Sequence, residues 1–284
     1  MPQHVFTGFD SAWSPNNEGA IVSAIDDNGQ WSLVGPVVAD FGAAWEHVKQ
    51  VDKDAASHVL AIDQPLIVKN GDGQRPVEDV ANRFLTRRQG AASPANRGEH
   101  TRSSAQSKKM MFGDGAPIWR FLERLGDRGI RDLHAVDRTA RNGRFFFEVF
   151  PAMGNLGLFQ DLFSPYKKGK TKPVPKYNPD NKKGNFSLTD WRDLCGRVSY
   201  CLSTYIGVND PWLAKAAANP APRKSDQDQL DSLICLCFAL HWTKGGDFCV
   251  IGDFDKGYML TPTHTAMSAE LRLLAQKRGV PFWP

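Results

Sequence analysis

The stretch Val5-Phe6-Thr7-Gly8-Phe9-Asp10 is a short apolar run that ends on a carboxylate. Two further apolar runs follow it, at residues 19–25 and 31–39. The breaks between the runs carry turn-forming residues, first Ser14-Pro15-Asn16-Asn17 and then Asp26-Asp27-Asn28-Gly29. Short apolar runs separated by such turn signals are typical of consecutive antiparallel strands. The start of the chain therefore predicts a three-stranded antiparallel meander.

The rest of the chain alternates between helical patterns and further apolar strands. Apolar residues at helical spacing predict helices at 41–51, 77–88, 117–125, 188–206, 226–243 and one that ends at Gly279. Apolar runs predict further strands at 59–63, 145–150 and 248–252. This order indicates an α/β fold, in which a mixed sheet of the antiparallel meander plus parallel strands carries helices on both faces. We predict one domain over 1–284, with basic insertions at about 69–115 and 165–185 that have too few apolar residues for cores of their own.

Basic residues are concentrated in these insertions. Residues 83–109 and 166–183 each hold seven Lys or Arg and one acidic residue, whereas the remaining chain holds 21 basic and 29 acidic residues. Cationic segments on an acidic body suit a polyanion, so we predict nucleic acid as the partner. The alternative is that both segments are solvated loops. The residues expected to bind nucleic acid are Arg83, Arg87, Arg88, Lys108, Lys109, Lys167, Lys168, Lys170 and Lys172.

Composition argues against several other classes of protein. No apolar run is long enough to cross a bilayer, and the N-terminus lacks the pattern of a secretory signal. The five cysteines form no CxxC pair, which favours reduced thiols in a cytoplasmic protein without a membrane partner. The chain contains neither a GxGxxG motif nor a P-loop motif, so classical dinucleotide and P-loop sites are not expected.

Five carboxylates stand at positions that burial alone would not select. Asp10 and Asp63 end predicted strands, Glu148 lies inside another, and Asp228 and Asp231 lie near the start of an apolar helix. A buried carboxylate is costly unless it is paired, protonated or metal-bound. Asp228 and Asp231 are three apart and share a helix face, so together with the strand ends they could form one cluster for Mg²⁺ or Mn²⁺. Two such ions could activate water and stabilise the leaving oxygen of a phosphodiester, which makes all five acids candidate catalytic residues.

Most of these acids also have a structural explanation that the sequence leaves open. The serine three residues before Asp228 makes a possible capping box, so Asp228 could serve as a helix cap. Asp10 could be a turn former, and Asp63, which precedes Gln64-Pro65, could form an Asx turn. Glu148 could pair with an arginine from the insertions.

Four short motifs, in a fixed order, carry a resemblance to a known family. They are Gly8-Phe9-Asp10-Ser11-Ala12-Trp13, Ala61-Ile62-Asp63-Gln64-Pro65-Leu66, Glu148-Val149-Phe150-Pro151 and Asp228-x-x-Asp231-Ser232-Leu233. They resemble the motifs of the family of predicted ribonuclease H-like nucleases labelled domain of unknown function 429, over about residues 5 to 252. The segment at 75–83 resembles the Arg-and-acid motif of that family. Asp228-x-x-Asp231 is distantly similar to the acid pair of RuvC-like junction resolvases.

The resemblance implies a ribonuclease H-like fold and divalent-metal-dependent hydrolysis of phosphodiester bonds. By position it makes Asp10 the bridging metal ligand and Asp231 the helical ligand, with Asp228 beside it. Asp63 and Glu148 would line the same cleft, and the resemblance does not decide which of them is the acid of the second strand.

A metal-dependent nuclease is therefore the leading hypothesis. The first alternative is a non-catalytic nucleic-acid- or protein-binding module on the same fold, whose acids would be too dispersed, or too paired with arginine, to take metal. A further alternative is an actin- or sugar-kinase-like phosphotransferase. That class needs a Gly-rich phosphate turn after the first acid, and Ser11-Ala12-Trp13-Ser14-Pro15 does not supply one.

Overall fold

The computed structural model describes residues 3–11, 17–97, 111–133, 139–180 and 186–284. Its main sheet begins with strands β1 (Gln3–Asp10), β2 (Gly19–Asp27) and β3 (Gln30–Ala39). β1 pairs antiparallel with β2, and β2 pairs antiparallel with β3. The predicted meander is therefore confirmed, with strands slightly longer than the apolar runs.

The second half of the main sheet is parallel. Its strands are β4 (Ala55–Asp63), β5 (Arg131–Asp132) and β6 (Arg144–Glu148). β4 runs parallel to β1, and β6 runs parallel to both β4 and β5, which gives the order β3-β2-β1-β4-β6-β5. An antiparallel meander continued by parallel strands is a mixed sheet of ribonuclease H-like layout, as the sequence predicts.

Helices cover both faces of this sheet. The described residues form α1 (Phe41–Val51), α2 (Pro76–Thr86), α3 (Pro117–Asp127), α4 (Pro151–Leu158), α5 (Leu188–Ile206), α6 (Pro211–Ala218), α7 (Lys224–Thr243) and α8 (Thr265–Arg278). Side chains alternate along a strand, so Phe6 of β1 packs in the core beneath α5 and α7, while Phe9 packs beneath α1 and α3. The side chains of β4 alternate in the same way, so Ala61 packs on the α7 side of the sheet and Ile62 on the α1 side.

Several elements are absent from the sequence prediction. α4 and α6 each begin at a proline, which fits the first turn of a helix because its missing N–H needs no partner there. The strand predicted at 145–150 ends at Glu148, and Pro151 starts a helix instead of only breaking the strand. β7 (Phe248–Asp253) belongs with β8 (Gly257–Pro262) and β9 (Phe282–Trp283) to a separate antiparallel sheet.

Within the described residues, no helix has the length and apolarity needed to cross a bilayer.

Helix α7 lies so close to β1 that only glycine fits between them. A Cβ atom built on Gly8 would lie 2.0 Å from the carbonyl oxygen of Ser232 and 2.2 Å from the amide nitrogen of Leu236. Both are backbone atoms of α7, so no side-chain rotation relieves the overlap. Gly8 therefore sets the distance between strand and helix, and with it the position of the α7 side chains over the end of β1.

On the face of the sheet that points away from α7, β1 is held by a buried network of hydrogen bonds. Thr7 Oγ1 lies 2.7 Å from Ser23 Oγ and 2.8 Å from His58 Nε2. His47 Nε2 of α1 lies 2.9 Å from Ser23 Oγ, and His58 Nδ1 lies 3.0 Å from Asp52 Oδ1. Burial lowers the pKa of His47 to about 4, so this imidazole is neutral near pH 7. The network ties β1, β2, β4 and α1 together directly behind Gly8.

We predict that Gly8→Ala lowers the free energy of unfolding by about 3 kcal/mol or more, because the added methyl group must push α7 off the sheet. Gly196→Ala is the matched control, since its Cβ would have no heavy atom within 4 Å in the middle of α5. Alanine there stabilises a helix by up to about 1 kcal/mol. Urea unfolding of both variants measures the difference. Equal stability of the two variants would contradict the close contact.

Candidate acidic site

Asp10 and Asp63 lie side by side at the ends of two neighbouring parallel strands. The register of β1 and β4 pairs the two residues directly. Two positions earlier, Gly8 and Ala61 face α7, and residues two apart in a strand share a face. Both carboxylates therefore project from the sheet toward α7.

The first turns of α7 bring two more carboxylates to this place. The helix is capped by Asp226, whose Oδ2 accepts a hydrogen bond from the Arg223 amide at 2.7 Å. Asp228 therefore does not have the capping role that the sequence left open for it. Asp228 and Asp231 are buried, with 7% and 4% of their surface exposed. Their spacing puts both on the helix face that covers the strand ends.

All four carboxylates line one open cleft with a volume of about 990 Å³. Three further acids line it, so that seven acidic residues face a single cation, Lys224, among the described lining residues. Neutral hydrogen-bonding groups complete the wall, and Asn178 and Asp180 reach it from the second basic insertion. The cleft is therefore strongly electronegative. The remaining lining residues are Ser11, Asn17, Glu18, Val38, Asp40, Ser93, Ser225 and Gln227.

Burial and mutual repulsion both disfavour the charged form of these acids. Burial raises the pKa of Asp10 well above its usual value, and the charges of Asp63 and Asp231 raise it further. The pKa of Asp63 is raised by burial first and by Asp231 next. Burial is also the main reason why the pKa of Asp231 rises to about 6. A cation between these carboxylates would relieve the repulsion and stabilise their ionised forms.

Three neighbouring side chains bind the helical acids. The hydroxyl of Tyr177 donates to Asp231 Oδ1 at 2.7 Å, and Gln227 Nε2 donates to Asp231 Oδ2 at 2.8 Å. Lys224 Nζ forms an ion pair with Asp228. Gln227 Oε1 is buried, and among the described residues it has no hydrogen-bond partner. The cleft thus holds an unpartnered acceptor oxygen next to its acids.

Glu148 has a different environment from the other four acids. It accepts two hydrogen bonds from Arg75, at 2.9 and 2.6 Å, and a third from the Leu66 amide at 2.9 Å. Its register partner in β4 is Ile62 rather than Asp63, and with Asp63 and Arg75 it lines a second, small pocket. Glu148 is paired with an arginine from the first insertion, one of the two roles that the sequence left open, and it does not line the acidic cleft.

The predicted nucleic-acid-binding arginines are engaged in ion pairs. Arg83 Nε lies 2.9 Å from Asp79, and Arg87 forms an ion pair with Glu270 at 3.4 Å. Arg88 is fully buried, pairs with Glu270 at 2.7 Å and lies 4.1 Å above the ring of Phe84. Arg88 thus faces the protein interior, where no nucleic acid can contact it.

The predicted nucleic-acid-binding lysines lie away from the cleft or outside the described part of the chain. Lys167, Lys168, Lys170 and Lys172 are exposed on the second insertion, and none of them lines the cleft. Lys108 and Lys109 lie outside the described residues. The described arginines of the first insertion do not line the cleft either, so no Lys or Arg that the structure describes in the two basic segments lines it, although Ser93, Asn178 and Asp180 of these segments do.

The donor set of the cleft has the chemistry that a hard divalent cation prefers. Its ligand atoms are carboxylate oxygens with one buried, unpartnered amide oxygen, and oxygen ligands select Mg²⁺ or Mn²⁺ over softer metals. Among the described residues, however, no group of three or more His, Cys, Asp or Glu side chains is arranged to hold a metal ion. Oxygens of Asp228 and Asp231 are bound by Lys224, Tyr177 and Gln227 instead. Side chains must therefore turn before a metal can enter.

Sequence reasoning missed the side chains that bind the helical acids. Lys224 and Gln227 stand four residues before Asp228 and Asp231 respectively, a spacing that puts each pair on one helix face. That signal was available in the sequence. Tyr177 had no such signal, because it lies in a Lys-rich segment 54 residues before Asp231.

One comparison with known proteins finds a match. The model of the family described as "Protein of unknown function (DUF429)" matches residues 8–256, which include all five candidate acids. No curated protein and no solved structure matches the chain.

We predict that Asp10→Asn raises the free energy of unfolding of the metal-free protein by about 1–2 kcal/mol at pH 8, because it removes a buried charge repelled by its neighbours. Thermal unfolding in the presence of a chelator measures the effect. The control is Asp54→Asn, since Asp54 is exposed between α1 and β4 and should change stability little. Lower stability of Asp10→Asn would show that the cluster is not under electrostatic strain.

Proposed function

We propose that this chain, which belongs to the DUF429 family of proteins of unknown function, is a divalent-metal-dependent nuclease that hydrolyses phosphodiester bonds at the acidic cleft. The observation that carries the proposal is the convergence of four buried carboxylates from β1, β4 and α7 on one open cleft. Buried like charges are costly, and such a cluster is stabilised by a cation. The ribonuclease H-like layout of the sheet supports the same function by analogy.

Asp10, Asp228 and Asp231 are the residues that would hold Mg²⁺ or Mn²⁺, with Asp63 beside them. A bound divalent cation neutralises phosphate oxygens and lowers the pKa of water. Tyr177 and Gln227 each donate to a different oxygen of Asp231, so together they fix the plane of that carboxylate. Ser93 and Asn178 at the cleft wall can donate hydrogen bonds to the sugar or phosphate groups of a bound strand.

The charge of the cleft makes nucleic-acid binding dependent on metal. The described lining residues of the cleft include seven acids and only one lysine, so their net negative charge repels a polyanion. The exposed lysines at 167–172 lie outside the cleft. Divalent cations would reverse this repulsion at the reacting phosphate. The lysines could attract the remainder of a long strand, which fits their position outside the cleft.

A non-catalytic binding module on the same fold is a second candidate, and one observation favours it. The described acids do not form a ready metal-binding group, and one of the five candidates, Glu148, is paired with Arg75. Such a protein would bind nucleic acid or a protein partner without cleaving phosphodiester bonds. Activity measurements separate the two candidates.

We expect the purified protein to cleave nucleic acid in the presence of Mn²⁺ or Mg²⁺, and Asp231→Asn to lower the rate by about 10³-fold because it removes a ligand charge. The substrates are single-stranded and duplex DNA and RNA and a four-way DNA junction. Asp54→Asn, an exposed acid outside the cleft, should retain the wild-type rate. Absence of metal-dependent cleavage of every substrate would contradict the nuclease proposal, and binding without cleavage would favour the second candidate.

A further inference from the structure

The position of Lys224 is unusual for a lysine in the first turn of a helix. A positive charge is unfavourable near the positive end of the helix dipole, where acidic residues are preferred. Lys224 nevertheless begins α7 and lines the acidic cleft as the only Lys or Arg among its described lining residues. The acids of the cleft provide the compensating interaction.

The spacing along α7 places Lys224 on the same face as the helical acids. Asp228 follows it by four residues and Asp231 by seven, so the three side chains lie along one side of the helix. The Nζ atom forms an ion pair with Asp228, and Asp10, Asp63 and Asp231 line the same cleft. The only positive charge among the described lining residues therefore lies within the acid cluster.

The side chain of Lys224 can leave this place without unfolding the helix. About half of it is exposed, 47%, whereas the side chain of its partner Asp228 is 10% exposed. Lysine has a long, flexible stem, and its head group is readily solvated. Asp228 has a short side chain that is almost entirely buried, so the lysine is the movable partner of this ion pair.

We infer that Lys224 is a built-in counter-ion of the acidic cleft: its ammonium group offsets part of the negative charge of the cluster in the metal-free protein, and its side chain moves into solvent when a divalent cation binds Asp10, Asp228 and Asp231. This inference rests on the metal site of the proposed function. In the metal-free protein the ammonium group binds an oxygen of Asp228, so a cation must displace the lysine to bind that oxygen. The unpartnered Oε1 of Gln227, beside Asp231, is a further oxygen available to an incoming cation or its water.

The competition between lysine and metal is measured by the affinity for Mn²⁺ alone, with no substrate present. Lys224→Met keeps the length of the side chain and removes its charge, so we expect its Kd for Mn²⁺ to fall about tenfold, a coupling of about 1.4 kcal/mol. Lys224→Arg retains the charge and should bind Mn²⁺ close to the wild-type affinity. Lys215→Met is the matched control, because Lys215 is exposed on α6 and does not line the cleft. Isothermal titration calorimetry gives the dissociation constants.

A second measurement uses thermal unfolding with a chelator present. Lys224→Met should unfold at a lower temperature than wild type, since it leaves the acids without their counter-ion, and saturating Mn²⁺ should remove the difference. Unchanged or weaker Mn²⁺ binding by Lys224→Met, beside a wild-type protein that binds Mn²⁺, would overturn the counter-ion role alone. Absence of Mn²⁺ binding by wild type and Lys224→Met alike would overturn both this role and the metal site. Mn²⁺ binding by Lys224→Met but not by wild type would support the inference, because it would mean that Lys224 excludes the metal completely.

Discussion

The direct contact between the backbones of β1 and α7 at Gly8 determines the geometry of the whole site. The missing side chain lets the helix approach until backbone atoms of Ser232 and Leu236 occupy the space that a methyl group would need. At that distance, one turn of α7 brings Asp231 over the end of β1, where Asp10 projects toward the helix. A larger residue at this point would move the helical acids away from the strand acids. The contact thus links the packing of the core to the chemistry of the cleft.

The stability of the fold and the charge of the site are in conflict. Four acids are buried together at the cleft, and burial with mutual repulsion raises the pKa of Asp10, Asp63 and Asp231. A hydrogen bond from Tyr177 to Asp231 and an ion pair between Lys224 and Asp228 reduce that cost. Buried carboxylates retained at such a cost suit a site whose purpose is to bind a cation. In the described structure, oxygens of Asp228 and Asp231 are bound by Lys224, Tyr177 and Gln227, which offsets part of the repulsion among the acids.

Much of the fold follows from the sequence because its periodicities are strong. α5 has the bounds predicted for it, 188–206, and the main sheet is the predicted antiparallel meander continued by parallel strands. The strand period of two assigns Gly8 and Asp10 to one face of β1, and Ala61 and Asp63 to one face of β4. Strand register is not visible in a single sequence, and it is register that pairs Glu148 with Ile62. Tyr177 escapes prediction for the same reason, since only tertiary structure brings its loop to α7.

The central claim is that the acidic cleft binds a divalent cation. The most direct test is a crystal structure of the protein grown with Mn²⁺, with diffraction data collected to detect the anomalous scattering of manganese. We expect an anomalous peak bound by Asp10, Asp228 and Asp231, with the Lys224 side chain directed toward solvent. A well-ordered cleft that shows no anomalous peak in saturating Mn²⁺, with the lysine still paired to Asp228, would contradict it.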